Sequence, residues 1–260
     1  GSYELTSLLE SEKQSKIAAK DGGTDPGRIE TGTNLSLWKT ASGLVGYWNF
    51  EGTGNIANGQ TAGFEDISGT GNNGIAYNTN GTGMNFVTGK FGKAIQLDGA
   101  DDCVTFGKSI TSGFSQLTYS IWFKTTSTNY SSLIDEWTSG ANFIGHINTG
   151  GVISIFINTL GTSPGWSNSV SGVVSDNTWH HMAVTYNGAN EILYLDGKSI
   201  FSVPATGTVG GCPTCFLKIG AYAANGEVLQ GFITGTLDEA SIYRRSLSAS
   251  EITAIYNAHK

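Results

Sequence analysis

From Leu44 onward, short apolar runs recur about every 8–15 residues, each closed by Gly, Asn, Asp or Ser. Leu44–Phe50, Lys93–Leu97, Cys103–Phe106, Leu117–Lys124, Val152–Asn158, Trp179–Tyr186, Ile192–Leu195, Phe216–Gly220 and Thr236–Tyr243 are such runs. Segments this short that alternate in polarity cannot present a continuous helical stripe. They suit strands, in which successive side chains point to opposite faces. Many short strands at this spacing predict an all-β sandwich or barrel.

The turns agree with the strands. Asp196-Gly197 sits between Leu193-Tyr194-Leu195 and Lys198-Ser199-Ile200. Asp-Gly supplies the two positive-φ residues of a type I′ hairpin turn. Asn187-Gly188 is a second such pair. The 37 glycines of the 260 residues therefore read as a turn inventory. Only one closing helix is expected. Ser248-Ala249-Ser250-Glu251 is a capping box, with Ile252, Ile255 and Tyr256 as the buried stripe.

Charge divides the chain. Residues 1–40 carry a crowd of Lys, Arg, Asp and Glu, whereas the whole chain averages 13% charged. This predicts a charged extension over 1–40 and a charge-poor domain over 41–260. Within the extension, Tyr3–Lys20 reads as a short strand followed by a helix opened by the box Ser7-Leu8-Leu9-Glu10. The Gly1-Ser2 start matches a protease-cleavage scar. A net charge of −7 gives no basic footprint for nucleic acid. No apolar run approaches the ~18 residues of a membrane span, so no membrane contact is expected from the residues present.

The runs also follow the order of a known family. Leu44-Val45-Gly46-Tyr47-Trp48-Asn49-Phe50-Glu51-Gly52 comes first, then Asp66-Ile67-Ser68-Gly69. Next are Gly92-Lys93-Ala94-Ile95-Gln96-Leu97-Asp98-Gly99 and Leu117-Thr118-Tyr119-Ser120-Ile121-Trp122-Phe123-Lys124. Trp179-His180-His181-Met182-Ala183-Val184 and Gly235-Thr236-Leu237-Asp238-Glu239 close the series. Over about residues 44–256 the chain resembles the LamG-like jelly-roll modules of the concanavalin A-like lectin/glucanase superfamily. The resemblance implies a two-sheet antiparallel jelly-roll sandwich with short N- and C-terminal helices. It does not imply one activity, because such folds host unrelated functions. Residues 3–40, through Tyr3–Ser11 and Lys20–Asp25, more faintly resemble the tail of bacterial type IV pilin or pseudopilin-like proteins that carry a LamG-like module. That implies display on a pilus or pseudopilus beside other pilin-like subunits.

A calcium ion is implied by the family resemblance. Glu51, Asp66, Asp98, Asp101, Asp102, Asp238 and Glu239 stand at strand ends beside glycine, and hard Ca²⁺ takes six to eight oxygens. Asp66, Asp98, Asp102 and Asp238 are the expected ligands, in a structural role. The plainer alternative is that these are turn acids bonding their own backbone.

Glycan hydrolysis is not expected. Glucanases on this fold present E-x-D-x-x-E on one strand face, and no such motif occurs here. Asp135-Glu136 and Asp238-Glu239 are adjacent, so in a strand their side chains diverge. His180-His181 lies in a scaffold strand, and His146 and His259 are isolated.

Cys212-Pro213-Thr214-Cys215 enters a strand rather than a helix, against redox catalysis. A local Cys212–Cys215 disulfide is expected, as in an exported protein, with Cys103 left as a buried thiol.

Aromatic residues in loops carry the ligand argument. Tyr130, Trp137, Trp166 and Tyr222 can stack on sugar rings, with Asn142 nearby to fix hydroxyls. The predicted function is a noncatalytic extracellular or cell-surface module binding a glycan or surface polymer. Its rivals are a ligand-free structural pilin subunit and a glycan-active hydrolase.

Overall fold

Leu117, Tyr119, Ile121 and Phe123 alternate along one strand, and all four are fully buried. Their strand, Leu117–Thr125, lies at the centre of one of two large sheets in the computed structural model of the chain. The structure describes residues 6–8, 28–30, 43–80, 84–137, 141–162, 167–168, 173–210, 212, 214–224 and 228–258. The chain divides into two compact units, Gly1–Ser42 and Gly43–His259.

In the first unit Thr6–Leu8 pairs antiparallel with Arg28–Glu30, Ser7 opposite Ile29. This agrees with the short strand expected at the start of the extension, and the helix expected after it lies outside the described residues. Residues 9–27, with most of the pilin-like stretch, lie outside the described residues.

The second unit holds the sandwich. One sheet runs in the order Lys198–Pro204, Asn190–Leu195, His180–Tyr186, Leu117–Thr125, Thr234–Tyr243, Lys93–Asp98, Met84–Thr88, Asn55–Ile56. Leu44–Trp48 also pairs with Thr234–Tyr243, so the unit's first and last strands meet. The other sheet runs Ser167–Asn168, Val152–Ile157, Ala141–Asn148, Ser131–Trp137, Lys218–Ile219, Cys103–Thr105, Ile75–Tyr77. All these pairings are antiparallel.

The core lies between the sheets. Phe143, Ile147, Ile153, Ile155 and Ile157 meet Tyr119, Ile121, Phe123 and Leu237 there. Each such side chain contributes ~1.5–3 kcal/mol on burial. The Tyr119 hydroxyl crosses the core to donate to the Ile144 carbonyl at 2.7 Å.

Local signals are met at both predicted ends. Asp196 and Gly197 take φ of 50° and 76°. The Ser248 hydroxyl accepts from the Glu251 amide at 3.3 Å, and Glu251 accepts from the Ser248 amide at 2.8 Å. The helix, Ala249–Ala258, buries Ile252 and stacks Tyr256 on Trp122 at 5.5 Å. His181 is buried beside Trp122, while His180 reaches Asp196 at 2.9 Å.

Candidate functional site

Strand Ser131–Trp137 carries the site. Its register sets Asp135 beside Ile144 on one neighbour and Lys218 on the other, with Ser132 opposite His146. A bulge falls between Ser132 and Ile134. The alternation within the strand puts Asp135 and Trp137 on one face and Ile134 on the other, where it joins the core.

Three rings gather over that face. Trp137 and Tyr222 stack with centroids 5.1 Å apart and planes 12° apart. Tyr130 meets Tyr222 edge-on at 5.3 Å. All three are half-buried, which leaves apolar ring surface open to solvent. Tyr222 lies in a hairpin of Tyr222–Ala224 and Val228–Gln230, and its ring rests on Gly231. A Cβ at Gly231 would come within 2.0 Å of Tyr222 Cε1, and its φ of 60° also requires glycine.

Beneath the rings lies a charged floor with no exposure. Asp135 and Lys218 are 3.4 Å apart, both fully buried. The Ser132 hydroxyl donates to Asp135 at 2.8 Å, and the Trp137 amide donates at 3.2 Å. Lys218 Nζ donates to the carbonyls of Trp137 and Phe216 at 2.7 and 2.8 Å. His146 Nε2 faces the same carboxylate at 3.1 Å, and its ring touches Tyr130 at 4.8 Å and Tyr222 at 5.2 Å. Burial lowers the His146 pKa against the opposing pull of Asp135. The ring is therefore neutral near pH 7, and a carboxylate can only accept, so Nε2 carries the proton. Burial likewise raises the phenols of Tyr130 and Tyr222, with Asp135 adding to both. The panel is a rigid, uncharged aromatic surface clamped from below by ion pairing.

The other expected ligand residues are placed differently. Asn142 is fully buried: its amide donates to Glu136 at 2.9 Å and to Ser109 at 3.1 Å, and it accepts from the Cys212 amide at 3.3 Å. It ties Glu136 to Ser109 and Cys212. Trp166 lies outside the described residues. Cys212 and Cys215 are joined, with Cα atoms 5.3 Å apart, and the thiol of Cys103 is free and buried.

The acids sort into separate groups. Asp98, Asp101 and Asp102 bring ligand oxygens within 4.8 Å of one another, the group of that kind among the described residues. Asp101 Oδ1 is buried there without a hydrogen-bond partner, while Oδ2 accepts from Thr79 and Asn80. Burial raises the Asp102 pKa, and the charges of Asp98 and Asp101 add to the rise. A cation would relieve that repulsion and occupy the orphaned oxygen, so this cluster can hold a metal ion.

Asp66 and Asp238 stand outside the cluster. Asp66 accepts from the amides of Tyr47, Ser68 and Asn72, organising its own loop. Asp238 accepts from the amides of Lys90 and Phe91 at 2.9 and 3.0 Å. Burial lifts Asp238 to about 8 and Glu239 far above its ordinary range, where Glu239 also bonds Tyr47. Among the described residues Asp135 and Glu136 share no hydrogen-bond partner: Glu136 accepts from Ile110, Thr111 and Asn142.

Sequence reasoning missed His146, Asp135 and Lys218 as one unit. Three charged or polar residues in separate strands carry no shared spacing. The parity of Asp135 and Trp137 was the available hint.

The chain also matches known proteins. A family profile described as concanavalin A-like lectin/glucanases superfamily matches residues 98–253. Among curated proteins, no sequence match reaches significance. Domain 4 of AbnA, a GH43 extracellular arabinanase from Geobacillus stearothermophilus in complex with arabinotriose, superposes with a TM-score of 0.61 at 18% identity. That match covers 83% of this chain and 98% of the other. The binding domain of Paraclostridial Mosquitocidal Protein 1 gives 0.62 at 18% identity, covering 83% and 52%. The binding domain of botulinum neurotoxin DC in complex with SialylT gives 0.57 at 14%, covering 75% and 48%. This chain thus spans about half the length of the toxin domains it matches.

Proposed function

The chain belongs to the concanavalin A-like lectin/glucanases superfamily, and on that premise we propose that it is a noncatalytic extracellular module that binds a glycan or surface polymer. The observation that carries this reading is the panel of Tyr130, Trp137 and Tyr222 over the buried Asp135–Lys218 pair. Flat rings held in place before binding lose little entropy when a sugar's apolar face stacks on them. Trp166, outside the described residues, is proposed from its Gly/Ser/Pro-rich sequence setting as a further stacking residue. Two structurally similar domains are described with saccharides, arabinotriose and SialylT.

Two additions belong to the same reading. One structural Ca²⁺ would be held by Asp98, Asp101 and Asp102, the orphaned Asp101 oxygen giving it a vacant ligand atom. Surface display, on a pilus or pseudopilus with other pilin-like subunits, rests on the sequence resemblance of residues 3–40. The Cys212–Cys215 bond fits export. Among the described residues no helix is long and apolar enough to cross a membrane. The separation of Asp135 from Glu136 in their partners favours binding over hydrolysis.

The test is a broad glycan array with calcium and with EDTA, followed by titration of the hits against Trp137→Ala and Tyr222→Ala, with circular dichroism to check folding. Expected is binding that falls about 10-fold or more in either variant, as for loss of a buried aromatic anchor. No binding across the array, or hits indifferent to both variants, would overturn the panel. Turnover of any polysaccharide would overturn the noncatalytic reading.

A further inference from the structure

The sheet that contains Leu117–Thr125 turns a second polar surface outward. Thr236 is registered opposite Gln96 on one side and Lys124 on the other. Directly paired residues share a face, so Gln96, Thr236 and Lys124 form one row across three strands. Two residues along, Trp122 is covered by Tyr256 of the C-terminal helix. The row itself borders a cleft of about 230 Å³, closed at its end by Asn177 and Thr234. This is smaller than the roughly 300–1,000 Å³ that takes a drug-sized ligand, and suits one sugar ring.

The lining chemistry is unusual for this protein. Lys124 forms no ion pair among the described residues, and its Nζ rests 5.6 Å from the centroid of the Trp179 ring. Gln96 and Asn177 bring side-chain amides that bond nothing among the described residues, and Thr236 brings a hydroxyl in the same state. Asn177 is held in the left-handed region at φ 61°, its amide donating to Thr125 at 3.0 Å. Gly235 lets the strands approach: a Cβ there would meet the Lys124 carbonyl at 2.6 Å. No lining residue is acidic, although the chain carries a net charge of −7. The nearby carboxylates are engaged elsewhere, Asp176 with Thr178 and His180, and Asp98 with Ala100 and Asn80.

We propose that this cleft is a second saccharide site, selective for a sugar unit that carries an acidic group. Lys124 meets the anion as a point charge. Gln96, Asn177 and Thr236 donate to and accept from ring hydroxyls, and the Trp179 ring borders the ammonium. The proposal stands apart from the aromatic panel and does not depend on it.

The experiment titrates the full chain with trigalacturonate, a sulfated galacto-oligosaccharide and neutral galactotriose, read by amide NMR shifts. Either acidic sugar is expected to shift Lys124, Asn177, Gly235 and Thr236 at millimolar concentration, with the neutral sugar weaker by about 10-fold. Lys124→Gln should lower acidic-sugar affinity about 10-fold, to the level of the neutral sugar. Gln96→Ala, at an exposed position, should weaken all sugars that bind there. No shift at these amides, equal affinity for acidic and neutral sugars, or indifference to Lys124→Gln would each overturn the proposal. So would loss of the acidic-sugar response in Trp137→Ala, which would move that binding to the panel.

Discussion

Glu191 is the side chain whose replacement should change this protein's stability most informatively. It lies in the Asn190–Leu195 strand, opposite Val203, with no solvent exposure. Burial lifts its carboxyl from 4.5 to about 8, against a smaller pull from the Ile157 amide. The folded protein therefore keeps Glu191 protonated at pH 7, while the unfolded chain ionises it near 4.5. Between those values the native state binds more protons than the unfolded state, so stability falls as pH rises. Contributions from this group are fully present below 4.5 and lost as pH climbs through about 8. At ~1.36 kcal/mol per pH unit, the loss is about 3 kcal/mol by pH 7 and about 5 kcal/mol above pH 8. Against a total of ~5–15 kcal/mol for a native domain, that is a large share. Glu191→Gln keeps the shape and removes the titration. Guanidinium unfolding of both proteins at pH 4.5, 7 and 8.5 isolates the effect, because other titrating groups cancel in the difference. The variant should match wild type within about 1 kcal/mol at the lowest pH and exceed it by about 3 kcal/mol at pH 7. Parallel pH curves for the two proteins would refute the reasoning.

Three further outcomes follow from named contacts. Ser248→Ala removes the hydroxyl that caps the C-terminal helix, and thermal unfolding should show a loss of about 1 kcal/mol. Gly197→Ala forces a Cβ into φ 76° and to within 3.0 Å of Tyr256, and should destabilise by more than about 1 kcal/mol in denaturant titration. Calcium should raise the melting temperature relative to EDTA, by a stabilisation of about 2.7 kcal/mol at a hundredfold excess over its dissociation constant, and Asp101→Asn should abolish the difference. An unchanged melting temperature with calcium would remove the ion from the Asp98–Asp102 cluster.

Much of the scaffold was written in short stretches. The Asp196-Gly197 turn and the Ser248–Glu251 box both appear where the residues require them, since each depends on contacts three residues apart or fewer. Alternation along Leu117–Lys124 foretold which side chains would fill the core. Asn142 shows the limit of such signals. Its neighbours suggested a loop residue facing a ligand, yet Glu136, Ser109 and Cys212 enclose its amide. The calcium acids follow from the family resemblance and from their turn positions, and of the four expected ligands Asp98 and Asp102 come together among the described residues, with Asp101 between them in sequence.

The sequence by itself determined an all-β sandwich or barrel, its turns and its closing helix, because φ preferences and period-two patterning act between near neighbours, and the family resemblance singled out the sandwich. The tertiary structure alone decided which strands pair and in what register. That register brings His146, Asp135 and Lys218 beneath Trp137 and Tyr222, and lines up Gln96, Thr236 and Lys124 on the other sheet. Alternation assigns a side chain to a face, but a slip of two residues keeps every face and changes every cross-strand neighbour. The proposed binding function rests on those neighbours, and only the packing of distant strands against one core selects them.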